Sequence, residues 1–282
     1  MILFLLLAFL YQDFSQTKIE RVAAGYRFTE GPAWDKDGYL LFSDVPNNRI
    51  YKIAAGHPAE VFRENSNGAN GNAVDERGRL YTCESTSRRV TRTDSKGNVE
   101  VLADKYEGKP LTAPNDIVVR RDGHVFFTDP AFGNQADTKE LTFFGVFHLT
   151  PKAELTAIWR GDTRPNGIAL SPNGRILYVA DSDARVIRAF DLDRQGSASG
   201  ERILVKGIEG VPDGLRTDEK GNLWLAAKGI QVYTPEGKHI QTFDIPETPS
   251  NLTFGDGDLQ TLYVTARTSV YRLRLPVKGW QP

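Results

Sequence analysis

The sequence is poor in the residues that build the commonest catalytic and cross-linked sites. It has one cysteine, Cys83, which excludes a disulfide within the chain. Its 35 basic and 36 acidic residues nearly cancel and form no block of one sign, which argues against partners such as nucleic acid or an anionic membrane. It lacks the nucleophile-elbow, phosphate-loop and zinc-helix motifs. The four histidines are scattered without ligand spacing, so we expect them at the surface: His57, His124, His148 and His239.

Long hydrophobic runs are also missing, apart from one at the N-terminus. Residues 2–11 are apolar but too few to span a bilayer, and a polar stretch follows at once. We interpret residues 1–16 as a signal peptide and 17–282 as a single domain, secreted or periplasmic and free of the membrane after cleavage. The run has no preceding Lys or Arg and no A-x-A cleavage site, so an uncleaved anchor or a misassigned start stays open.

A polar residue stands eight positions before a turn in six places along the chain. The spacing between successive repeats, 38 to 51 residues, is typical of a propeller blade of about four short strands. The sequence therefore predicts an all-β, six-bladed β-propeller with four-stranded antiparallel blades. We expect the strand-like segment 18–24 to close the ring as the outer strand of the last blade. The six pairs are Glu30 and Gly38, Asn70 and Gly78, Asn115 and Gly123, Asn166 and Gly174, Asp213 and Gly221, and Asn251 and Leu259.

The six polar residues of these pairs, called the ring below, should lie at one height around the central channel. The first strand of each blade lines that channel, and these residues begin it. Two carboxylates and four amides form a hard-oxygen set that suits Ca²⁺, with Mg²⁺ or Mn²⁺ less obvious. A turn or strand-cap role is the alternative for each residue alone. We assign Asn70 and Asn251 to water or substrate hydroxyls.

Four acidic residues should return to the same mouth of the channel, because each ends the second strand of its blade. We call Asp44, Glu84, Asp129 and Asp181 the outer acids. Hydrogen bonding to nearby backbone amides is the interpretation we favour for Asp44 and Asp181. Glu84 and Asp129 stay candidates for contact with substrate.

Several strings resemble the gluconolactonase family, which includes regucalcin and luciferin-regenerating enzyme, and most closely its bacterial gluconolactonase-like branch. The resemblance covers residues from about 20 to 278. The strings are Glu30-Gly-Pro-Ala-Trp34, Pro114-Asn-Asp116, Pro165-Asn-Gly167, Pro212-Asp-Gly214, Thr82-Cys-Glu84 and Phe127-Thr-Asp-Pro130.

The resemblance implies a lactone-hydrolysing propeller with one divalent cation, usually Ca²⁺, while Mg²⁺, Mn²⁺ or Zn²⁺ are alternatives. Glu30, Asn166 and Asp213 match the family's metal ligands, and Asn115 matches an asparagine that binds the metal or the substrate beside it. A mechanism consistent with these residues has the cation polarise the lactone carbonyl while a carboxylate takes a proton from the attacking water. We expect Asp213 to be that base, with Glu84, Asp129 or a metal-bound hydroxide as alternatives.

Two departures from the family leave the lactone undetermined: Ala113 stands where regucalcin has arginine, and Ser85 where many bacterial members have histidine. Two other functions stay open, a metal-stabilised ligand-binding propeller without hydrolysis and a phosphotriesterase or other lactonase at the same site. The oligomeric state is open as well.

Overall fold

The computed structural model describes residues 13–281. Most of the predicted signal peptide, residues 1–12, lies outside the described residues. Phe14, within that predicted peptide, packs edge-on against Trp224 and Phe243, with ring centroids 6.0 and 5.4 Å away. Cleavage after residue 16 would remove this contact from the fifth blade.

Six four-stranded antiparallel sheets form the blades of a propeller, as the repeats predict. Blade one comprises β2 (Thr29–Asp35), β3 (Tyr39–Asp44), β4 (Arg49–Ala54) and β5 (Glu60–Arg63). Blade two comprises β6 (Ala69–Val74), β7 (Leu80–Glu84), β8 (Arg89–Thr93) and β9 (Val99–Ala103), followed by a small hairpin of β10 (Lys105–Tyr106) and β11 (Lys109–Pro110). Blade three comprises β12 (Ile117–Val119), β13 (Val125–Asp129), β14 (Phe144–Leu149) and β15 (Leu155–Gly161).

The remaining blades follow the same order from the channel outwards. Blade four comprises β16 (Pro165–Leu170), β17 (Ile176–Asp181), β18 (Val186–Leu192) and β19 (Ala198–Lys206). Blade five comprises β20 (Leu215–Thr217), β21 (Leu223–Ala227), β22 (Gly229–Tyr233) and β23 (His239–Phe243). Blade six comprises β24 (Pro249–Gly255), β25 (Thr261–Ala266), β26 (Ser269–Arg274) and, from the N-terminus, β1 (Ile19–Ala24). β1 pairs antiparallel with β26, which confirms the predicted closure and covers an otherwise free sheet edge.

The turn after each inner strand explains the eight-residue spacing of the repeats. In blade four the Gly174 amide donates to the Ser171 carbonyl at 2.8 Å, and Gly174 has a φ of 66°. Such a φ favours glycine because a side chain there crowds the backbone. Leu259 takes the equivalent position in blade six with a φ of 56°, so the turn keeps its shape without glycine.

Aromatic side chains at equivalent strand positions are buried between the blades, as predicted. Each is at most 7% exposed: Phe42, Tyr81, Phe126, Tyr178, Trp224 and Tyr263. Trp34 of blade one stacks on Tyr263 of blade six at 5.5 Å. These contacts hold neighbouring blades together by apolar burial.

The C-terminal segment covers the end of the channel opposite the mouth. The Trp280 amide donates to the Thr217 carbonyl at 3.1 Å, and Gln281 Nε2 donates to the Phe254 carbonyl at 2.8 Å. Between this segment and the inner strands lies a cavity of about 50 Å³, with Arg216 in its lining. The channel is therefore accessible mainly from its mouth.

The longest repeat places a loop at the mouth, between β13 and β14. This loop carries a short 3₁₀ helix, Gly133–Thr138. Residues 13–281 contain no helix that is long and apolar enough to cross a membrane. Arg88 of blade two donates to the Thr138 carbonyl at 2.9 Å. Arg164 of blade four lies over the Phe132 ring at 4.7 Å. The loop is thus fixed from both neighbouring blades.

The prediction that all four histidines are superficial is wrong for His148. Its side chain is 4% exposed, and its Nε2 lies 2.7 Å from Nδ1 of His124. One ring nitrogen must donate and the other accept, so the contact requires at least one neutral imidazole. Burial and the adjacent His124 lower the pKa of His148 to about 4, with Arg120 acting in the same direction and Asp193 and Asp122 opposing it.

His148→Gln is therefore expected to reduce the acid sensitivity of the fold. The pKa of His148 is depressed in the folded protein, so the unfolded chain binds more protons between about pH 6.5 and 4. Stability is lost as the pH falls through that window. Urea unfolding at pH 7 and pH 5 should show that wild type loses about 1–2 kcal/mol more than His148→Gln. His57→Gln, at an exposed site, should keep the wild-type slope, and equal slopes in all three proteins would contradict the assignment.

Candidate functional site

Backbone hydrogen bonds between blades bring the ring residues to one height around the channel. The Gly71 amide donates to the Asn115 carbonyl at 2.7 Å, and the Gly167 amide donates to the Asp213 carbonyl at 3.1 Å. The Gly214 amide donates to the carbonyl of Ser250, beside Asn251, at 2.7 Å. These links join the inner strand of one blade to that of the next. The ring positions deduced from sequence spacing are therefore neighbours in space.

Glycine follows the ring residue in four blades because the inner strands approach closely there. A Cβ added at Gly31, Gly71, Gly167 or Gly214 would lie 1.9 to 2.5 Å from an atom of the next blade. In three of the four cases that nearest atom is a backbone carbonyl oxygen. The residue pairs Glu-Gly, Asn-Gly and Asp-Gly at the ring thus have a steric cause that sequence spacing alone did not reveal.

Glu30 is the most firmly held carboxylate of the ring. It is 4% exposed, and its Oε2 accepts from the Gly31 amide at 2.8 Å and from Asn251 Nδ2 at 3.3 Å. The Asn251 Oδ1 accepts from the Leu252 amide at 2.8 Å. Both ends of the Asn251 amide are therefore engaged, and one of them orients Glu30. This favours a supporting role for Asn251 over the predicted contact with substrate.

Asn166 presents an amide oxygen that has no hydrogen-bond partner. The Ser182 hydroxyl donates its proton to the Pro212 carbonyl at 2.7 Å, so its oxygen accepts from Asn166 Nδ2 at 3.1 Å. This network fixes the orientation of the amide. The Asn166 Oδ1 is then buried without a partner among the described residues, and so is the Asn70 Oδ1. A buried oxygen left without a donor is costly, and both oxygens are suited to binding a cation.

The two ring carboxylates are close enough to repel each other. Burial raises the pKa of Asp213 well above its usual range, and the charges of Glu30 and Asp116 add to this, while a hydrogen bond from Asn166 opposes it. Burial and Asp116 also raise the pKa of Glu30 to about 7, against the hydrogen bonds from Gly31 and Asn251 and the charge of Arg216. A divalent cation would relieve this repulsion.

The donor set of the ring fits a hard cation rather than a softer metal. Within the described residues no group of three or more histidine, cysteine, aspartate or glutamate side chains is placed to hold a metal ion. Two carboxylates with amide oxygens nevertheless form a mixed oxygen site of the kind that calcium accepts. Glu30, Asn166 and Asp213, with Asn115 beside them, are the residues that would hold it.

The outer acids are fully buried and hold neighbouring loops and strands. The carboxylate of Asp44 accepts from the Arg27 and Phe28 amides, and Asp181 accepts from the Ala184 amide and from Arg188. The interpretation of these two as backbone acceptors therefore agrees with the structure.

Glu84 and Asp129, predicted to contact substrate, are engaged in the same way. Glu84 bonds to Arg63 at 2.6 Å and to Arg89 at 2.7 Å, which keeps its pKa low despite burial. Asp129 accepts from the Thr112 and Ala113 amides at 2.7 to 3.0 Å, although burial raises its pKa to about 7. Because these oxygens are occupied, the geometry favours a structural role and argues against direct contact with substrate.

Asp116 and Arg216 are channel residues that the spacing argument missed. Arg216 Nη1 lies 3.1 Å from Asp116 Oδ2, and the two side chains are 15% and 0% exposed. Asp116 stands directly after Asn115, where four other blades have glycine. The aspartate at a position where glycine is usual is the sequence signal that would have identified Asp116.

The sequence and the fold of this chain are similar to those of known proteins. Residues 28–268 match the model of the SMP-30/Gluconolactonase/LRE-like region. The chain is 35% identical to the gluconolactonase of Zymomonas mobilis over 297 aligned positions, which cover 93% of this chain and 83% of that one. It is 33% identical to the structure of a gluconolactonase from Xanthomonas campestris, with a TM-score of 0.86 and coverage of 92% and 90%.

A second similar structure has the same fold at lower identity. The calcium-binding protein regucalcin from Agrobacterium tumefaciens is 22% identical, with a TM-score of 0.80 and coverage of 93% and 96% of the two chains. The match to the family model and the identity to the Zymomonas protein over nearly the whole chain establish the relationship. This chain belongs to the SMP-30/gluconolactonase/LRE-like family.

Proposed function

We propose that this protein hydrolyses sugar lactones at the channel mouth with the help of one divalent cation, for which calcium is the best candidate. The ring carries the proposal: two carboxylates that repel each other face amide oxygens that have no donor. Gluconolactonases among its relatives support the reaction class, and a calcium-binding protein shares the fold.

When bound, the cation would supply a positive charge for the lactone carbonyl oxygen as negative charge develops there. Glu30 and Asn166 are suited to hold it, because Glu30 is fixed by two hydrogen bonds and the Asn166 oxygen is fixed by Ser182. Neither residue needs to move a proton. Asn70, whose Oδ1 also lacks a partner, is left to bind water or a substrate hydroxyl.

Asp213 is the ring carboxylate best placed to take a proton from the attacking water. It is more exposed than Glu30, whose carboxylate is fixed by the Gly31 amide and by Asn251. In the reaction a water oxygen attacks the lactone carbonyl carbon, and Asp213 accepts the water proton. The ester C–O bond of the lactone then breaks, and the leaving alkoxide takes that proton from Asp213, which gives the hydroxy acid and restores the carboxylate.

Metal-stripped protein assayed with a panel of lactones tests this proposal. We expect hydrolysis of aldonolactones above the spontaneous rate after addition of Ca²⁺, with Mg²⁺, Mn²⁺ and Zn²⁺ compared in parallel. Aliphatic lactones and one phosphotriester serve as substrate controls. Equal rates with and without cation would contradict the metal-dependent part. Bound cation without hydrolysis of any lactone would indicate a ligand-binding propeller instead.

A further inference from the structure

A buried ion pair lies in the channel beside the ring and is not explained by the folding of either blade alone. Arg216 Nη1 donates to Asp116 Oδ2 at 3.1 Å and to the Leu215 carbonyl at 2.6 Å. Asp116 also accepts from the Ile117 amide at 2.9 Å and the Ile168 amide at 3.1 Å. Blades three, four and five therefore meet at one carboxylate and one guanidinium.

The pair is electrically linked to the proposed cation ligands. The negative charge of Asp116 raises the pKa of both Glu30 and Asp213. The positive charge of Arg216 lowers the pKa of Glu30. Asp116 takes the position that glycine holds in four other blades, and it lies against the inner strand of blade two, since a Cβ at Gly71 would lie 2.6 Å from its Cα. Arg216 enters the same space from blade five and lines the cavity below the ring.

The formal charge of this cluster matches a divalent ion. Glu30, Asp116 and Asp213 contribute three negative charges, and Arg216 contributes one positive charge, which leaves −2 when all four are ionised. Few water molecules can screen these groups, because Asp116 is fully buried and the C-terminal segment covers the far end of the channel. Each fixed charge therefore affects the binding of an ion more strongly than a surface charge does.

Building on the proposed function, we propose that Arg216, held by Asp116, acts as a fixed internal cation that sets the charge of the ring to favour a divalent over a trivalent ion. Arg216 is a positioning and charge-setting residue in this role and does not contact substrate. Arginine suits it because its guanidinium stays protonated even when buried.

Competing Ca²⁺ and La³⁺ titrations test the proposal, because La³⁺ is close to Ca²⁺ in size but carries one more charge. Arg216→Met brings the cluster to −3 and should raise the ratio of La³⁺ to Ca²⁺ affinity by about tenfold or more. Asp116→Asn brings it to −1 and should lower the ratio by a similar factor. Asp116→Asn with Arg216→Met restores −2 and should return the ratio to near the wild-type value.

Two controls separate charge from structure. Arg216→Lys keeps the charge and should keep the ratio, and Arg121→Met removes an arginine at an exposed site and should leave it unchanged. A merely structural role predicts that the double variant is worse than either single variant. If Arg216→Met does not fold, the opposite shift in Asp116→Asn and its reversal in the double variant still decide the question.

An unchanged ratio in folded Arg216→Met or Asp116→Asn, with a wild type that binds calcium and hydrolyses lactones, would overturn this inference alone. A wild type that binds neither ion would overturn both it and the proposed metal site.

Discussion

Asp213→Asn is expected to lower kcat for lactone hydrolysis by about a hundredfold or more, even at saturating calcium. The substitution preserves the shape of the side chain and one oxygen ligand, but an amide cannot accept the water proton. Steady-state kinetics over a series of calcium concentrations measures this effect. The loss should persist after the calcium dependence of the rate has levelled off.

Glu30→Gln is the matched comparison, since it removes the other ring charge with the same kind of change. Glu30 is 4% exposed and fixed by Gly31 and Asn251, which is the environment of a ligand rather than of a base. We expect weaker calcium binding and activity that returns as calcium is raised. If calcium instead restores Asp213→Asn to near the wild-type kcat, Asp213 is a ligand only and another group must take the proton.

Gly167→Ala is expected to destabilise the propeller by about 3 kcal/mol or more, or to prevent folding. An added Cβ would lie 2.2 Å from the Asp213 carbonyl oxygen, which is backbone and cannot turn aside as a side chain can. Relief of the overlap would break the hydrogen bond from the Gly167 amide to that carbonyl. Because the same bond places Asp213 beside Asn166, folded variant protein should also bind calcium more weakly.

Gly257→Ala supplies the control for this substitution. A Cβ there meets nothing within 4 Å, so the change in unfolding free energy should stay within about 0.5 kcal/mol. Chemical denaturation of both variants measures the difference. Similar stabilities for Gly167→Ala and Gly257→Ala would show that the inner strands can separate without cost.

The architecture could be predicted because a propeller repeats one unit. The eight positions from a ring residue to its turn glycine, as from Asn166 to Gly174, cover the inner strand and its turn, so this spacing reveals both the blade and its register. The closing strand followed from the same reasoning, since a sixth blade of three strands leaves an edge that β1 can cover.

Contacts between distant blades could not be predicted in the same way. Asp116 and Arg216 are 100 residues apart, and their pairing depends on how three inner strands meet at the axis. The contact between His124 and His148 arises because β13 and β14 pair in a register that sets His148 opposite Phe126, where its ring stacks on Phe126 and on His124. Glu84 lies at the end of its strand, as predicted, but repeat spacing does not reveal its ion pair with Arg63 of the preceding blade.

Isothermal titration calorimetry, with calcium added to metal-stripped protein, tests whether the ring binds a cation. We expect one calcium ion bound per chain, and binding at least a hundredfold weaker in the double variant Glu30→Gln and Asp213→Asn, which keeps the shape of the ring but removes its charge. Folding of the double variant is checked by thermal unfolding. Equal affinity in the wild type and the double variant, or no binding to the folded wild type, would contradict the assignment of the ring as a cation site.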